Sequence, residues 1–158
     1  MRKLLYILGA VFLALIIAVV GTVGHLAYIG NQLDQESKAY VDKAVPAIVA
    51  DWSVEELTRR ASPELLQSTK PDDLRSLFAL FAKLGPLVQY GGSKGDAKIF
   101  ASTGGGQSIT AEYVALATFK NGRASIEIGL LKVDGIWKVQ NFRVNSSAMI
   151  EKAVGRAT

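Results

Sequence analysis

The sequence predicts an α+β protein in which an N-terminal transmembrane helix precedes helices and a curved antiparallel sheet. Three observations support this prediction. Residues 4–30 contain no Asp, Glu, Lys or Arg. Between residues 31 and 85, apolar residues recur every three or four positions, which is typical of amphipathic helices. After residue 86 the apolar period falls to two, and Asn-Gly and Asp-Gly dipeptides separate the alternating runs, as in β-hairpins.

Composition excludes several classes of protein. The chain has 158 residues, enough for one folded domain and an appended segment. It has no cysteine and one histidine, so disulfide scaffolds, cysteine nucleophiles and multi-histidine metal sites are excluded, and no cofactor or metal is expected. Without the two bases of residues 1–30, 16 basic residues face 14 acidic ones. This balance, with no basic block, argues against a nucleic-acid partner.

Residues 1–30 are predicted to form an uncleaved signal anchor. A span of about 20 apolar residues crosses a bilayer, whereas the apolar core of a signal peptide has about 7–15 residues before its cleavage site. A cleaved signal peptide is the alternative. Arg2 and Lys3 precede the run and Asp34 and Glu36 follow it, so the N-terminus is expected in the cytoplasm. We expect a single-pass bacterial inner-membrane protein with its folded domain in the periplasm or outside the cell.

Small residues form a stripe along one face of this predicted anchor. They are Ala10, Ala14, Ala18 and Thr22. Small side chains let two membrane helices approach closely, so the stripe favours packing against another membrane protein. Alanine is also common in membrane helices, and the spacing is equally compatible with no partner. Formation of a homo-oligomer is left open.

The first helix of the folded domain is predicted over residues 31–52. The domain itself is predicted over 31–147, and a short tail over 148–158. Pro46 lies inside the apolar pattern of the first helix, so a kink or a break is expected near Ala44 and Val45.

Three further helical segments are predicted before the sheet. Ser53 and Glu56 form a capping box that opens a short helix ending at Arg60. Pro63 follows Ser62 at the first position of another helical turn. Pro71 opens a longer helix, which Gly85-Pro86 ends. The apolar face of this longer helix consists of Leu74, Leu77, Phe78, Phe81 and Leu84.

The strands are predicted as an antiparallel meander. They cover residues 96–102, 109–119, 124–133 and 136–145. The glycine-rich stretches 91–96 and 104–106 are predicted to be flexible connections between strands, because neither has the sequence ending of a phosphate-binding loop.

Two-residue turns at Asn121-Gly122 and Asp134-Gly135 fix a register for the last three strands. In that register Phe119 faces Ala124, and Ile126 faces Arg143. One face of the sheet is then mostly apolar and is expected to lie under the helices. Its candidate pocket residues are Tyr113, Trp137, Asn141 and Arg143. A β-bulge in any strand would invert part of this assignment.

The polar residues on this face have two interpretations. Asn141 and Arg143 line a pocket for an anionic or carbonyl group, or else Arg143 lies at the sheet edge and Asn141 binds a loop backbone. The face has no Asp, Glu or His, so no catalytic residue is predicted. A carboxylate reaching in from the helices to within about 3–4 Å of Tyr113 or Arg143 would favour an enzyme instead. The candidates are Asp42, Asp51 and Glu55.

The chain resembles the NTF2-like superfamily, whose members have a cystatin-like α+β roll. The residues that carry this resemblance are Trp52-Ser53-Val54-Glu55-Glu56-Leu57, Ser62-Pro63-Glu64-Leu65-Leu66 and Leu131-Lys132-Val133-Asp134-Gly135-Ile136-Trp137-Lys138-Val139. The resemblance covers residues 36–147 and is strongest to small exported or membrane-anchored bacterial members. It implies a cone-like pocket between helices and sheet. Some members are isomerases, cyclases or dehydratases, and others are membrane-tethered subunits of secretion machines.

These observations lead to two functional hypotheses. The first is a non-enzymatic, membrane-anchored interaction or assembly module, an accessory subunit of a membrane or envelope complex. Its expected partners are the membrane and another membrane protein. The second is a pocket protein that binds a small apolar ligand, or an unrecognised NTF2-like enzyme.

Overall fold

A computed structural model describes residues 2–101 and 106–146, without the side chains of residues 2–11, 23–27 and 101. The chain divides into two units, Met1–Leu33 and Asp34–Thr158. The second unit combines helices with a curved four-stranded antiparallel sheet, which confirms the predicted α+β class. The predicted tail at 148–158 lies outside the described residues.

The elements follow one another in the predicted order, helices before strands. The helices are α1 (Arg2–Val49), α2 (Val54–Arg60), α3 (Pro63–Ser68) and α4 (Pro71–Phe81), and a 3₁₀ turn covers Ala82–Leu84. The strands are β1 (Leu87–Ala101), β2 (Gln107–Phe119), β3 (Gly122–Val133) and β4 (Ile136–Asn145). The sheet order β1-β2-β3-β4 is the predicted meander.

Helix α1 is the longest element, and the side chains of residues 12–22 are exposed. Over the part of the chain that the structure describes, no helix meets the length and apolarity that a membrane crossing needs.

Of the kink or break predicted near Ala44 and Val45, the break is wrong, because α1 continues through Pro46 to Val49. Pro46 has no N–H to donate, but its carbonyl accepts a hydrogen bond from Ala50 N at 2.9 Å. It lies in the last turn, where only one backbone bond is lost. The neighbouring Val45 and Ile48 are fully buried, and their packing offsets that loss. The helix ends before Trp52, whose φ of 50° is left-handed.

The short helices begin where their capping residues predict. The hydroxyl of Ser53 accepts a hydrogen bond from Glu56 N at 3.2 Å, and that of Ser62 accepts one from Leu65 N at 3.3 Å. The Ser53 capping box is only half formed, because Ser53 N donates to the carbonyl of Ile48 instead. The Glu56 carboxylate binds the guanidinium groups of the two arginines that end α2.

The first strand corrects the prediction for the glycine-rich stretch 91–96. β1 begins at Leu87 and includes this stretch, which is therefore strand rather than a connection. The pairing with β2 shifts between Tyr90 and Ser93, so the two intervening glycines form a bulge. Gly95 lies so close to β2 that a Cβ atom there would be 1.9 Å from the carbonyl oxygen of Glu112. Of the second glycine-rich stretch, residues 104–105 lie outside the described residues.

The hairpin between β2 and β3 turns at Lys120-Asn121, one residue earlier than predicted. Phe119 pairs with Gly122, and every later pair is displaced by two residues from the expected register. A displacement by two keeps each side chain on its predicted face, because side chains alternate with a period of two. Asn121 N donates to the carbonyl of Leu84 at 2.9 Å, which fixes this turn against the end of the helical region.

A bulge in β4 overturns the predicted facing of Asn141 and Arg143. Leu130 pairs with Val139 as predicted, but the register shifts between Gly129 and Leu130. Beyond this point Phe142 pairs with Ile128 on the apolar face. Asn141 and Arg143 lie on the opposite face, because one extra residue in β4 reverses the alternation.

The core lies between residues 34–49 of α1 and one face of the sheet, named here the inner face. From α1 it receives Val41, Ala44, Val45, Ile48 and Val49, all at most 1% exposed. The inner face contributes Ala111, Tyr113, Ala115, Ala117, Phe119, Ala124, Ile126, Ile128, Leu130, Trp137 and Val139. Aromatic rings close one end of the core, where Trp52 stacks on Phe119 with centroids 5.1 Å apart.

Candidate functional site

The opposite side of the sheet, named here the outer face, carries a groove of about 550 Å³, the outer groove. Residues of all four strands line it. Its polar and charged lining residues are Lys94, Asp96, Lys98, Thr110, Glu112, Tyr113, Glu127, Gln140, Asn141 and Arg143. The groove is thus a feature of the assembled sheet rather than of one loop.

Strand pairing explains how these residues converge. Residues directly opposite one another in neighbouring strands share a face, so they form rows across the sheet. One row contains Lys94, Val114, Glu127 and Arg143. The next row contains Asp96, Glu112, Gly129 and Asn141. Glycine has no side chain to fill its place in the second row, and the groove therefore has a hollow over β3.

Close packing around this hollow limits what can occupy residue 129. A Cβ atom on Gly129 would lie 3.2 Å from the Cβ of Asn141. This distance is tighter than ordinary van der Waals contact, so any larger residue would displace Asn141 or fill the hollow.

The charges that line the groove are balanced, with three cations against three carboxylates. Arg143 binds Glu127 at 3.2 Å, and Lys98 lies 3.9 Å from Asp96. These groups are exposed, so the ion pairs contribute little to stability. Asp96 and Glu112 are directly opposite one another, and like charges in that position are unfavourable.

A second polar cluster joins α1 to β1 on the inner side. The carboxylate of Asp42 accepts hydrogen bonds from Tyr90 at 2.7 Å, Ser93 at 2.6 Å and Lys38 at 2.6 Å. Burial acts to raise the pKa of Asp42, but these three hydrogen bonds outweigh it and lower the pKa below its ordinary value. Burial and the bond to Asp42 raise the pKa of Tyr90. The cluster holds an ionised carboxylate between helix and sheet.

Tyr113, predicted as a pocket residue, is among the residues that line the outer groove, and its hydroxyl also makes a helix–sheet contact. Its hydroxyl lies 2.9 Å from the hydroxyl of Ser37 and donates to the carbonyl of Asp34 at 3.1 Å. Burial raises the pKa of Tyr113. The carboxylate of Asp34 accepts a hydrogen bond from Ala97 N at 2.7 Å, so it satisfies an amide on the outer edge of β1. These contacts fix α1 on the sheet.

Three of the four predicted pocket residues, Tyr113, Asn141 and Arg143, are among the residues that line the outer groove, and Trp137 is not. Tyr113 and Trp137 are buried on the inner face, whereas Asn141 and Arg143 are exposed in the outer groove. Trp137 is 6% exposed, and Lys132 lies with its Nζ 5.2 Å from the centre of the indole ring.

The three carboxylates considered for an enzyme reach neither Tyr113 nor Arg143 through any hydrogen bond or ion pair among the described residues. Asp42 binds Tyr90 and Ser93, and Asp51 and Glu55 are exposed. Arg143 does bind a carboxylate, but it is that of Glu127 on the outer face. Across residues 2–101 and 106–146, no group of three Asp, Glu or His side chains is placed to hold a metal ion.

In the predicted anchor, Ala14, Ala18 and Thr22 are exposed, and the Thr22 hydroxyl donates to the carbonyl of Ala18. The side chain of Ala10 lies outside the described residues. The exposed side chains are compatible with the proposed packing surface and do not identify a partner.

The sequence analysis did not identify Gly129 as a residue of the outer groove or of the register shift between β3 and β4. An isolated glycine within an alternating strand is a known sign of a bulge or a close approach, so the sequence did contain a signal. It missed Tyr90 and Ser93 as well, because the strand that carries them was predicted to start only at residue 96.

A comparison with protein-family models and with curated proteins finds no match for this sequence. The function is therefore inferred from the geometry of the two faces of the sheet.

Proposed function

We propose that this protein is a membrane-anchored interaction module, an accessory subunit of a membrane or envelope complex, that holds its partner in the outer groove. The observation that carries the proposal is a sheet face that no helix among residues 2–101 and 106–146 covers, with a groove of about 550 Å³ and charges of both signs. Antiparallel sheets commonly have one face on the core and one toward water. Here the face away from the core also has a shape and a charge pattern that a partner can recognise.

Exposed apolar side chains on the same face strengthen the proposal. Val114 is 45% exposed and Leu116 is 58% exposed, in adjacent rows of β2. Phe100 of β1 is exposed at the other end of the face. Apolar contacts of this kind supply affinity in protein interfaces, while charged groups supply specificity and steer the encounter.

The inner face is buried in the core of the domain. Ile126, Ile128 and Leu130 are at most 1% exposed beneath α1, and Tyr113 makes hydrogen bonds to that helix. An NTF2-like architecture remains part of the proposal, with the inner space filled by side chains. A partner is then expected on the outer face rather than between helix and sheet.

The membrane anchor is the other part of the proposal. The uncharged run at residues 4–30, with Arg2 and Lys3 before it, supports an N-terminus in the cytoplasm and a domain on the far side of the inner membrane. An anchored domain meets membrane partners at a high effective concentration. Modest affinity at the outer groove is then sufficient for assembly.

The test is purification of the full chain from membranes in mild detergent after chemical cross-linking. We expect a stoichiometric partner, and we expect Val114→Lys together with Leu116→Lys to remove it. Leu77→Lys together with Leu80→Lys is the matched control, because these leucines are 46% and 44% exposed on α4, away from the groove. Equal recovery of the partner with both double variants would contradict the proposal.

A second candidate, binding of a small apolar ligand, is favoured by one observation. A cavity of about 290 Å³ lies among α2, α3 and α4 and is lined by Leu57, Leu65 and Leu74. Ligand pockets usually measure about 300–1,000 Å³, so this cavity lies at the lower limit. Mass spectrometry of the purified protein under native conditions would detect a bound small molecule. Such a molecule, found without any protein partner, would favour this candidate.

A further inference from the structure

We infer that the partner binds the outer groove through an extended polypeptide segment whose groove-facing side chains are acidic, basic and acidic in that order. The inference deepens the proposed function and rests on it. It follows from the sign and the spacing of the charges on the outer face, together with the hollow over Gly129.

Charge alternates along β1. Lys94, Asp96 and Lys98 are all exposed, and their spacing of two residues places them all on the outer face. Glu112 adds a second negative charge in the row of Asp96. In the row of Lys94 the cation of Arg143 is already held by Glu127, so Lys94 provides the uncompensated charge there. The face thus presents positive, negative and positive rows.

The spacing of these rows matches an extended chain. Alternate residues of a strand lie about 6.4–6.8 Å apart, which is also the separation of successive rows on the sheet. A segment lying along the strands therefore presents its alternate side chains to successive rows. A helix repeats every 5.4 Å or so and loses this match within a few residues. A polyanion meets the carboxylates of Asp96, Glu112 and Glu127 and is disfavoured.

The central row defines the central residue of the partner. Asp96 and Glu112 face each other directly, which is unfavourable in the free protein. A lysine or arginine placed between them relieves this repulsion. Gly129, which has no side chain and lines the groove, lies beside Glu112 in the same row. Lys98 lies 3.9 Å from Asp96, whereas within the described residues Glu112 forms no ion pair, so Glu112 is the uncompensated carboxylate of the central row.

The experiment uses the full chain in detergent micelles and three fluorescent heptapeptides with blocked ends. The first is Thr-Glu-Thr-Lys-Thr-Glu-Thr, and the second has every charge reversed. The third contains the same residues as the first in the order Thr-Thr-Glu-Glu-Lys-Thr-Thr. Fluorescence anisotropy measures binding. We expect the first peptide to bind about tenfold more tightly than the other two, the change that about 1.4 kcal/mol of charge complementarity produces.

A charge-reversed protein makes the test specific. Lys94→Glu, Asp96→Lys and Lys98→Glu together should invert the preference, so that the second peptide binds best. All three side chains are exposed, and the changes keep the charges alternating, so the fold is expected to persist. The control variant, Glu55→Lys with Arg75→Glu, alters exposed charges on α2 and α4 and should keep the original preference.

Equal affinity for the three peptides, no binding at millimolar concentration, or an unchanged preference in the charge-reversed protein would each overturn the inference. The proposed function is tested separately by the lysine variants at Val114 and Leu116. If those variants lose the partner while the peptides are not distinguished, the interaction module stands and the charge-pattern inference fails.

Discussion

The ionised carboxylate of Asp42 stabilises the packing of α1 against β1. Its carboxylate accepts hydrogen bonds from Lys38, Ser93 and Tyr90, and its pKa lies below the ordinary value. A carboxyl group with a lowered pKa in the folded state stabilises the fold above its unfolded pKa, about 3.9. This contribution is lost as the pH falls through the lower, folded-state pKa.

We therefore expect Asp42→Asn to destabilise the protein at pH 7 by about 1.5–3 kcal/mol, because a hydrogen bond to a charged group is worth about that much. The difference from wild type should begin to shrink as the pH falls below about 3.9, the unfolded pKa, and should disappear only below the lower, folded-state pKa, where the wild-type carboxyl is protonated as well. Urea unfolding of the full chain in micelles, followed by tryptophan fluorescence, measures both effects. Asp72→Asn, at an exposed position of α4, is the control. A destabilisation that persists unchanged at pH 3 would contradict the role assigned to the charge.

Trp137 is expected to be a core anchor rather than a binding residue. It is 6% exposed on the inner face, with the Lys132 ammonium over its ring. Removing a buried aromatic side chain costs about 3–5 kcal/mol, so Trp137→Ala should destabilise the domain by that amount. Trp137→Phe should cost much less, because most of the buried volume remains. Wild-type stability with loss of a bound partner would place Trp137 at an interface instead.

At the scale of the elements, the bulge in β4 decides which side chains face the core. It places Phe142 on the inner face, 6.2 Å from Phe78 between ring centres, and Arg143 outside. Phe142→Ala should therefore destabilise the domain by about 2–4 kcal/mol, somewhat less than a fully buried ring because Phe142 is only partly buried. Arg143→Ala should change stability by less than about 0.5 kcal/mol, since its ion pair is exposed. Chemical unfolding measures the free energy of unfolding of both variants. A larger loss for Arg143→Ala than for Phe142→Ala would indicate that β4 has no bulge.

The same elements show which features of the fold can be predicted from the sequence alone. Ser53 and Ser62 identify the starts of α2 and α3 because a capping hydroxyl acts within three residues. The Asp134-Gly135 turn identifies a hairpin for a similar, local reason. Gly129 is a local sign of an irregular strand, but which residue of β4 is the extra one depends on how β3 and β4 twist and pack. Two of the four predicted pocket residues, Asn141 and Arg143, were therefore expected on the wrong face, whereas Tyr113 and Trp137 were placed correctly.

At the scale of the whole molecule, the proposed membrane location depends on the uncharged run at residues 4–30. We expect the full chain to remain in the membrane fraction after alkaline carbonate extraction, because transferring this many apolar residues into water is strongly unfavourable. The proposed function depends on this retention, since a modest affinity at the outer groove is effective only if the domain is held beside its partner.

Replacing Ile16 and Val19 with lysine should release the protein, because a charge at the centre of a span costs about 2.5–3.5 kcal/mol. Lysine at Leu77 and Leu80 adds the same charge to the folded domain and should leave retention unchanged. N-terminal sequencing completes the measurement: a mature chain beginning near Ala27–Asn31 in the soluble fraction would show a cleaved signal peptide and would overturn the anchor.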